Sequence, residues 1–522
     1  METKTQLGET DYSHTGGHLL HSIGFSIFSL VLLYLNFRMY FPLTNASQLP
    51  LRHFVALVAV FLFFLTLWAI HRMLLCFSDR VVGVISLLLF ALLVLAQVFC
   101  IMIFKVKPTW DFGDVITAAK QISLGKPISY IKYFEIYPHN LKPAVLIGTF
   151  MKLFKGADWS FYLLNVLSIS ASIASVYFIV KKTLGIRIAA LAMLLALLST
   201  PLYLYAPIVY TDTLSLPYPA ISLLFWLKWR EASKKEDRRK QMLYFFLIAV
   251  VSAIGYLLKP VAAIVLFAAL GEQFLTWVFK RLKKSFEGIV ISLLSALLAF
   301  ILVLGTFFTY ADRMGYTKNI SEDKAYPYYH WIMMGMNRPY GEGGTSYGYG
   351  GFSGEDYNYT KVYETKDARK AADISRIKER LEKFGAKGYV KFLMKKLEWT
   401  WTDPTFYAPV KLARKPLNND IFHQWVLPNK MGRHIPYQVC GQLVHSLTLA
   451  MMLYGVVQAL FTRRMAGFRS VMVLSCLGIM LFLLVWETRS RYLTFMIPVF
   501  IVMAADGLDS AFRGVDKLFG LY

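Results

Sequence analysis

The sequence predicts an all-α protein that crosses a membrane many times, and three observations support this class. The 522 residues are 56% hydrophobic and only 17% charged, with a mean hydropathy of +0.47, whereas a soluble domain usually carries about a quarter charged residues. Apolar runs of about 18 to 25 residues recur along the chain, and each is long enough for a membrane helix. The formal charge of +24 comes largely from short loops between those runs, which indicates membrane topology rather than nucleic-acid binding.

Twelve candidate membrane helices follow from these runs. They cover residues 18–38, 53–75, 81–104, 159–180, 184–206, 213–229, 241–258, 261–279, 288–310, 437–461, 467–486 and 492–510. The four cysteines lie in or beside the runs without repeated spacing, so they predict packing residues rather than a zinc site or disulfides.

Basic residues orient the predicted spans. The short loops after spans 2, 4, 6, 8 and 10 are rich in Lys and Arg, as in residues 228–240 and in Lys280, Arg281, Lys283 and Lys284. Because such loops stay on the cytoplasmic side, both termini are predicted to be cytoplasmic, with the long loops outside. The chain then divides into N-terminal helices (1–104), a first external loop (105–158), a membrane core (159–310), an external region (311–436), and C-terminal helices with a cytoplasmic tail (437–522).

Two carboxylates lie near the start of the first external loop. Asp111 and Asp114 are three residues apart, so in a helical turn they project to one side. Partial burial raises the pKa of a carboxylate, which makes it a better general base near neutral pH. The alternative is an N-terminal cap for a short interfacial helix at 115–124, which ends near Gly125 and Pro127.

Other ionisable residues fall on the same predicted face. Asp212 lies in a short outer turn, where it either caps span 6 or meets Asp111 across a cavity. Four cations share this face, and they either snorkel to lipid headgroups or bind a phosphate: Lys142, Lys259, Arg489 and Arg491. Glu487 is placed to orient one of the arginines.

The external region contains two further patterns. Residues 340–356 are rich in Gly and Tyr, which suits either a mobile loop or a lid over a sugar or lipid. Residues 373–401 carry apolar positions at helical spacing, broken by Gly385 and Gly388. They predict an amphipathic helix pair that either lies in the outer interface or packs on a small external domain.

Several familiar motifs are absent from the sequence. There is no GxxxxGK[ST], HExxH or CxxC, and no DxD within a soluble domain. The histidines are scattered, so no metal site is predicted. A soluble nucleotide donor therefore has no evident binding domain, whereas a lipid-linked donor would need none.

Five short motifs lie on the predicted external side, and they are Trp110–Asp114, Tyr137-Pro138-His139-Asn140, Tyr210-Thr211-Asp212, Lys259-Pro260 and Ser490-Arg491-Tyr492-Leu493. In their order and common side they resemble the motifs of the GT-C membrane glycosyltransferases, and the resemblance covers residues from about 81 to 510. Within that group the chain is most similar to the bacterial branch that resembles protein O-mannosyltransferases and the lipid A aminoarabinose transferase. Two helices ahead of the third span, and His139 where relatives often have Asn, depart from the usual pattern.

The resemblance implies a GT-C-like fold with interfacial helices in the first external loop. It also implies a donor that carries one sugar on a polyprenyl phosphate, and undecaprenyl phosphate is the expected lipid carrier. Asp111 corresponds to the catalytic aspartate, with Asp114 and Asp212 as further acids; Lys259 and Arg491, then Arg489 and Lys142, would hold the phosphate. The candidates for the acceptor or sugar pocket are Tyr137, His139, Asn140, His330 and Tyr492.

The function expected on this basis is inverting transfer of one sugar to a hydroxyl of a cell-surface glycopolymer. A teichoic acid or wall polysaccharide outside the plasma membrane would be the acceptor, and no cofactor is obligatory, although a divalent cation is conceivable. A polysaccharide polymerase or O-antigen ligase is one alternative, and it would rely on residues such as Arg433 and His434. A lipid-linked sugar flippase, which would need inverted halves or broken central helices, and a noncatalytic scaffold are the others.

Overall fold

The computed structural model of the chain describes residues 15–43, 49–280, 283–318, 320–338, 348–418 and 421–521. Across those ranges the regular structure is helical, and the extended pairing is an isolated antiparallel bridge between Val106 and Pro416. The α-helices are α1 Thr15–Tyr40, α2 His53–Leu75, α3 Asp79–Ile103, α4 Trp110–Ser123, α5 Ile131–Ile136, α6 Leu141–Lys152, α7 Asp158–Leu184, α8 Ile186–Leu198, α9 Pro201–Leu204, α10 Thr211–Leu214, α11 Pro217–Lys234, α12 Arg238–Leu258, α13 Ile264–Lys280, α14 Lys283–Arg313, α15 Tyr328–Met334, α16 Gly354–Lys361, α17 Lys366–Trp401, α18 Ala408–Leu412, α19 Ile421–Val426, α20 Ile435–Phe461, α21 Phe468–Val485 and α22 Ile497–Leu518. Short 3₁₀ helices cover Pro138–Asn140, Pro260–Ala263, Glu322–Lys324 and Ser490–Met496.

The polytopic all-α class is confirmed, with a correction to the number of spans. In the described part of the chain, ten helices are long and apolar enough to cross a membrane, and they correspond to ten of the twelve predicted spans. The predicted span 184–206 is instead α8, whose 13 residues reach only about 20 Å before Ser199 leaves helical geometry. The predicted span 213–229 is α11, which starts at Pro217 and carries charge at its C-terminal end. Both helices pack in the bundle, α8 against α3 and α7, and α11 against α7 and α12.

Different loops meet at the two ends of the helix bundle. At one end, Arg187 at the start of α8 binds Asp79 at the start of α3 (2.9 Å), and Arg469 in α21 binds Asp506 in α22 (2.7 Å). The predicted cytoplasmic loops therefore meet at this end, although Lys280, Arg281, Lys283 and Lys284 lie outside the described side chains. The segments after α3, α9 and α12 meet at the opposite end. Which end faces the cytoplasm stays a prediction.

Helix α17 has the two helical halves predicted for residues 373–401, and it begins earlier, at Lys366. Gly385 (φ 57°, ψ 170°) is non-helical and separates the halves, whereas Gly388, the other predicted break, remains helical. Its second half lies on the C-terminal end of α1, because Tyr34 donates to the Met394 carbonyl (3.1 Å) and Glu398 accepts from the Leu43 N–H (2.8 Å). These contacts favour packing on the protein over a helix lying free in the interface.

The external region has its own buried polar network. Thr360 donates its hydroxyl to Asp373 (2.7 Å) and lies 2.7 Å from His330 Nδ1, and all three residues are buried. The structure thus places His330, a predicted pocket residue, in the interior of this region. Burial and the neighbouring Arg369 charge lower the pKa of His330 to about 3. Burial raises the pKa of Asp373 to about 6, despite the Thr360 hydrogen bond.

The Asp373→Asn variant is therefore expected to be more stable than the wild type at pH 7.5. Because the pKa of Asp373 is raised in the folded state, ionising this carboxyl lowers the free energy of unfolding. The loss is absent below about pH 4, grows between about pH 4 and 6, and is complete above that window. The gain should be at most about 3 kcal/mol, since two pKa units correspond to that free energy. Thermal unfolding in detergent at pH 7.5 and 4.5 measures it, with the exposed Glu379→Gln as control. A variant that is less stable at pH 7.5 would contradict this expectation.

Candidate active site

Asp212 binds two cations from distant segments of the chain. Its Oδ1 lies 2.7 Å from Lys259 Nζ, and its Oδ2 accepts from Arg491 Nη1 at 2.7 Å. Lys259 directly follows α12 in extended conformation before Pro260, and Arg491 lies in the 3₁₀ helix that precedes α22. Burial raises the pKa of Asp212, but the Lys259 and Arg491 charges outweigh it and lower that pKa below its usual value. We call these three residues the Asp212 cluster, whose formal charges sum to +1.

Asp111 is connected to the neighbourhood of this cluster by a chain of hydrogen bonds. Tyr133 donates its hydroxyl to Asp111 Oδ1 (2.8 Å), and Asn140 Nδ2 donates to that hydroxyl in turn (2.5 Å). Tyr210, two residues before Asp212, donates to Asn140 Oδ1 (3.3 Å). The two carboxylates therefore belong to one site, in which Asn140 holds Tyr133 and Tyr210 in place. Asp111 itself is partly exposed, which leaves it accessible to a substrate.

The start of α4 sets the direction of Asp111. Trp110 has left-handed backbone geometry (φ 53°), an uncommon conformation for a large residue, and its ring meets Tyr210 edge to face at 5.9 Å. Gly113 is close to the Pro108 carbonyl group, at a place where a Cβ atom would be only 3.0 Å away. Asp114 is also partly exposed, and burial followed by the nearby Asp111 charge raises its pKa.

The other predicted cations lie in different surroundings. The Arg489 guanidinium packs 4.7 Å from the centre of the Tyr407 ring, and the adjacent Ser490 donates to Asp403 (2.6 Å). Lys142 instead lies over the Tyr256 ring at 5.3 Å. Its described contacts do not include Asp212, so the prediction that it binds phosphate rests on sequence alone.

Lys411 and Arg414 also lie at the site, and neither was predicted from the sequence. Lys411 Nζ lies 3.3 Å from the centre of the Trp110 ring, and Arg414 approaches the same ring at 5.6 Å. Burial, followed by the nearby Arg491 and Arg414 charges, lowers the pKa of Lys411 to about 5. The stretch before them, Asp403-Pro404-Thr405-Phe406-Tyr407-Ala408-Pro409, has two prolines and one acid, and its composition does not indicate a site.

The conformation of that stretch could not be foreseen from its composition. Phe406 and Tyr407 are both left-handed (φ 48° and 68°), a strained arrangement for consecutive non-glycine residues. Asp403 holds it, since its carboxylate accepts from the Tyr407 N–H (3.0 Å) and its Oδ1 from Thr405. Tyr205 donates to the Phe406 carbonyl at 2.5 Å. This conformation leads directly into α18, which carries Lys411 beside Trp110.

The external region helps to build the site, because Lys396 of α17 holds the segment that leads to Arg491. Its buried Nζ donates to the carbonyls of Gly335 (2.6 Å), Leu484 (2.9 Å) and Trp486 (2.7 Å). Gly350, with φ 69°, passes so close that a Cβ atom would lie 2.5 Å from Lys396 Cε. The Gly350 carbonyl accepts from the Thr488 N–H (2.8 Å). Residues 340–347 of the predicted lid lie outside the described residues.

Replacement of Lys396 by Met should destabilise the protein. Three buried carbonyls would lose their donor, at a cost of about 3 kcal/mol or more. Thermal unfolding in detergent tests this, with Lys391→Met on the exposed face of α17 as control. A Lys396→Met variant that is as stable as Lys391→Met would contradict this expectation.

The predicted pocket aromatics fall into two groups. The rings of Tyr137 and His139 both contact Trp331, whereas Tyr492 lies at the Asp212 cluster, where it donates its hydroxyl to Glu487 (3.2 Å) and its ring faces Lys259. Glu487 is thereby fixed next to Arg491. Arg433 and His434, the residues on which a polymerase would rely, contact Gln424 and Asn429 instead. Within the described ranges, no group of three or more His, Cys, Asp or Glu side chains is placed to hold a metal ion.

Comparisons with known proteins give one family and two solved structures. The profile of the family described as "conserved hypothetical integral membrane protein" matches residues 24–512. An oligosaccharyltransferase from Archaeoglobus fulgidus, crystallised with Zn and sulfate, is similar with 13% identity and a TM-score of 0.44, over 83% of this chain and 50% of that one. ArnT from Cupriavidus metallidurans, solved in the apo state, is similar with 14% identity and a TM-score of 0.32, over 83% of this chain and 78% of that one. The chain thus spans about half the length of the oligosaccharyltransferase. No curated protein sequence matches it.

Proposed function

We propose that this chain, which belongs to the family of conserved hypothetical integral membrane proteins, is a GT-C-type glycosyltransferase that uses a polyprenyl-phosphate sugar. The observation that carries the proposal is the convergence of Asp111 with the Asp212 cluster at one end of the bundle. An accessible carboxylate beside cations that retain net positive charge suits the transfer of a group away from a phosphate. The bulk of the chain is membrane helix, which suits a donor delivered by the bilayer.

In the proposed reaction, Asp111 acts as the general base. It takes the proton from an acceptor hydroxyl while that oxygen bonds to the anomeric carbon of the sugar. The bond from the anomeric carbon to the phosphate oxygen breaks in line, so the configuration inverts and polyprenyl phosphate leaves with the bonding electron pair. The hydrogen bond from Tyr133 holds the carboxylate in the orientation that this step needs.

The Asp212 cluster is proposed to stabilise the leaving group. A phosphodiester carries one negative charge, which the net charge of +1 on the cluster balances, and further charge develops as the bond to the sugar breaks. Fixed cations in a poorly hydrated site stabilise such charge more strongly than water does. In this scheme Asp212 orients Lys259 and Arg491, while Asp114 is a second acid. The scheme requires no metal, although a divalent cation beside these acids is compatible with it.

The proposed setting is the outer face of a plasma membrane, with both termini in the cytoplasm. Undecaprenyl phosphate is the proposed lipid carrier, and a teichoic acid or wall polysaccharide the proposed acceptor. The positive-inside rule supports this orientation, because the site lies at the end opposite the basic loops.

The test is sugar transfer by the purified protein in proteoliposomes. Synthetic polyprenyl-phosphate sugars would be supplied one at a time together with teichoic acid or wall polysaccharide as the acceptor, and release of polyprenyl phosphate would be measured by mass spectrometry. We expect release from at least one donor, together with loss of one hexose or N-acetylhexosamine from the surface polymers of a deletion strain. Movement of intact donor across the bilayer would indicate a flippase. Growth of a polysaccharide chain that depends on Arg433 and His434 would indicate a polymerase. Absence of any donor turnover would refute the proposal.

A further inference from the structure

A continuous row of aromatic rings runs from the surface of a membrane helix to Asp111. Phe482 of α21 stacks on Trp486 with 5.2 Å between ring centres, and Trp486 stacks almost parallel on Trp331 at 5.6 Å and 7°. Trp331 then meets His139 at 5.5 Å and Tyr137 at 6.4 Å. We call these five residues the ring track.

The inner end of the ring track reaches the proposed base. The ring of Tyr137 lies 5.3 Å from that of Tyr133, whose hydroxyl donates to Asp111. His139 is exposed and Trp331 is partly exposed, so the row offers ring surface rather than a closed core. Among the described residues, none accepts a hydrogen bond from the indole N–H of Trp331 or Trp486. Ring faces and indole N–H groups of the described residues therefore line the approach to the carboxylate.

The outer end of the ring track faces the bilayer. Phe482 lies in the last turn of α21, one of the ten candidate membrane helices of the described chain, and the residue is 36% exposed. Its neighbours Leu481 and Val485 are 65% and 50% exposed. Apolar residues this accessible on a spanning helix lie against lipid. The row thus joins the hydrocarbon edge to the site without crossing the Asp212 cluster.

We propose that the ring track binds the acceptor, and that the acceptor is a lipid-anchored saccharide that approaches sideways from the bilayer; this rests on the proposed function. A sugar presents C–H groups that pack on ring faces and hydroxyls that accept from ring N–H and O–H groups, which matches a row of Trp, His and Tyr. An anchor would occupy the exposed end at Phe482 while the sugar lies on Trp331 and Tyr137.

The position of the ring track favours the acceptor over the donor as its occupant. The attacking hydroxyl must reach Asp111, and the row ends at that residue through Tyr133. The phosphate of the donor is expected at Lys259 and Arg491, which bind the opposite carboxylate. An isoprenoid tail would also gain little from side chains with polar edges. The two substrates would then approach from different sides.

The first experiment compares two acceptors on the wild-type protein. A hexadecyl glycoside and the methyl glycoside of the same sugar would be assayed in proteoliposomes with each synthetic polyprenyl-phosphate sugar in turn. We expect the KM of the hexadecyl glycoside to be at least about tenfold lower, with both KM values expressed as total concentration at one fixed lipid concentration. Equal KM values for the two glycosides would overturn the proposal. Absence of polyprenyl phosphate release with every acceptor would instead refute the proposed function itself.

The second experiment changes the rings. Trp331→Leu and Trp486→Leu should each raise the KM of the hexadecyl glycoside about tenfold, because one stacking face is lost, while the donor KM stays within about twofold. Trp331→Phe keeps a ring, so its KM for the hexadecyl glycoside should stay close to that of the wild type. This variant is used if the Leu variants do not fold. Trp159→Leu is the matched control, since this exposed tryptophan at the start of α7 contacts Phe154 and lies outside the row. Unchanged acceptor KM in folded Trp331 and Trp486 variants, or an equal change in Trp159→Leu, would overturn the proposal.

Discussion

Asp111→Asn should lower the rate of sugar transfer about 1,000-fold while the protein remains folded. An amide cannot take up the proton from the acceptor hydroxyl, and a positioned general base contributes about 10² to 10⁴ in rate. The Asn oxygen can still accept the hydrogen bond from Tyr133, so the chain through Asn140 to Tyr210 should persist. The measurement is the initial rate of polyprenyl phosphate release in proteoliposomes, with donor KM and thermal unfolding recorded on the same preparations.

The matched control for this variant is Asp158→Asn. Asp158 is an exposed acid at the start of α7 that pairs with Lys120 at 2.7 Å, so its loss should leave transfer unchanged. Asp114→Asn tests the second acid, and a smaller effect is expected because Asp114 lies further along α4 and has no Tyr133-like partner in the described hydrogen bonds. Transfer by Asp111→Asn within tenfold of the wild type would exclude Asp111 as the base.

The convergence of Asp212, Lys259 and Arg491 was predictable because each residue directly follows or precedes an apolar run. Residues at the same predicted boundary of a bilayer lie in one thin layer, and opposite charges in that layer pair to offset the cost of burial. The sequence therefore limits which ionisable side chains can meet. It does not give their distances, which depend on how the helices pack.

Lys411 and Lys396 could not be predicted in this way. Both belong to the external region, where no membrane boundary restricts position and contacts join residues far apart in the chain. Lys411 reaches Trp110 only because Phe406 and Tyr407 adopt left-handed geometry, and composition carries no signal for that. Lys396 appears in the sequence as one more cation on an amphipathic helix. Its three carbonyl partners come from the ends of α15 and α21.

The helix pattern was predictable to the extent that hydrophobicity decides it. Ten spans are apolar throughout, whereas α8 is interrupted near Ser199 and α11 depends on burial by its neighbours. Gly385 gave the correct position for the kink of α17, because its backbone needs a positive φ. Gly388 in the same helix shows that a glycine does not by itself end a helix.

Arg491→Ala should reduce transfer about 100-fold or more and raise the donor KM. The variant would leave Asp212 paired with Lys259 alone, so the net charge of the Asp212 cluster would fall from +1 to zero and its attraction for a phosphodiester would be lost. Removal of one preorganised group that stabilises developing charge commonly costs about 10² to 10³ in rate. The Arg491→Lys variant should keep only part of the wild-type activity, because a single ammonium group cannot reproduce the forked donors of arginine.

Arg469→Ala separates this effect from loss of stability. Arg469 also makes a buried pair with an aspartate, Asp506, at 2.7 Å, but at the opposite end of the bundle. Breaking either pair should destabilise the fold by up to about 3 to 5 kcal/mol, since an aspartate loses its arginine in both cases. Only Arg491→Ala should change transfer per folded molecule, because only Arg491 lies beside the proposed phosphate. If the two variants lost stability equally and kept the same donor KM and turnover number, the Asp212 cluster would be a structural ion pair and the phosphate would have to bind elsewhere.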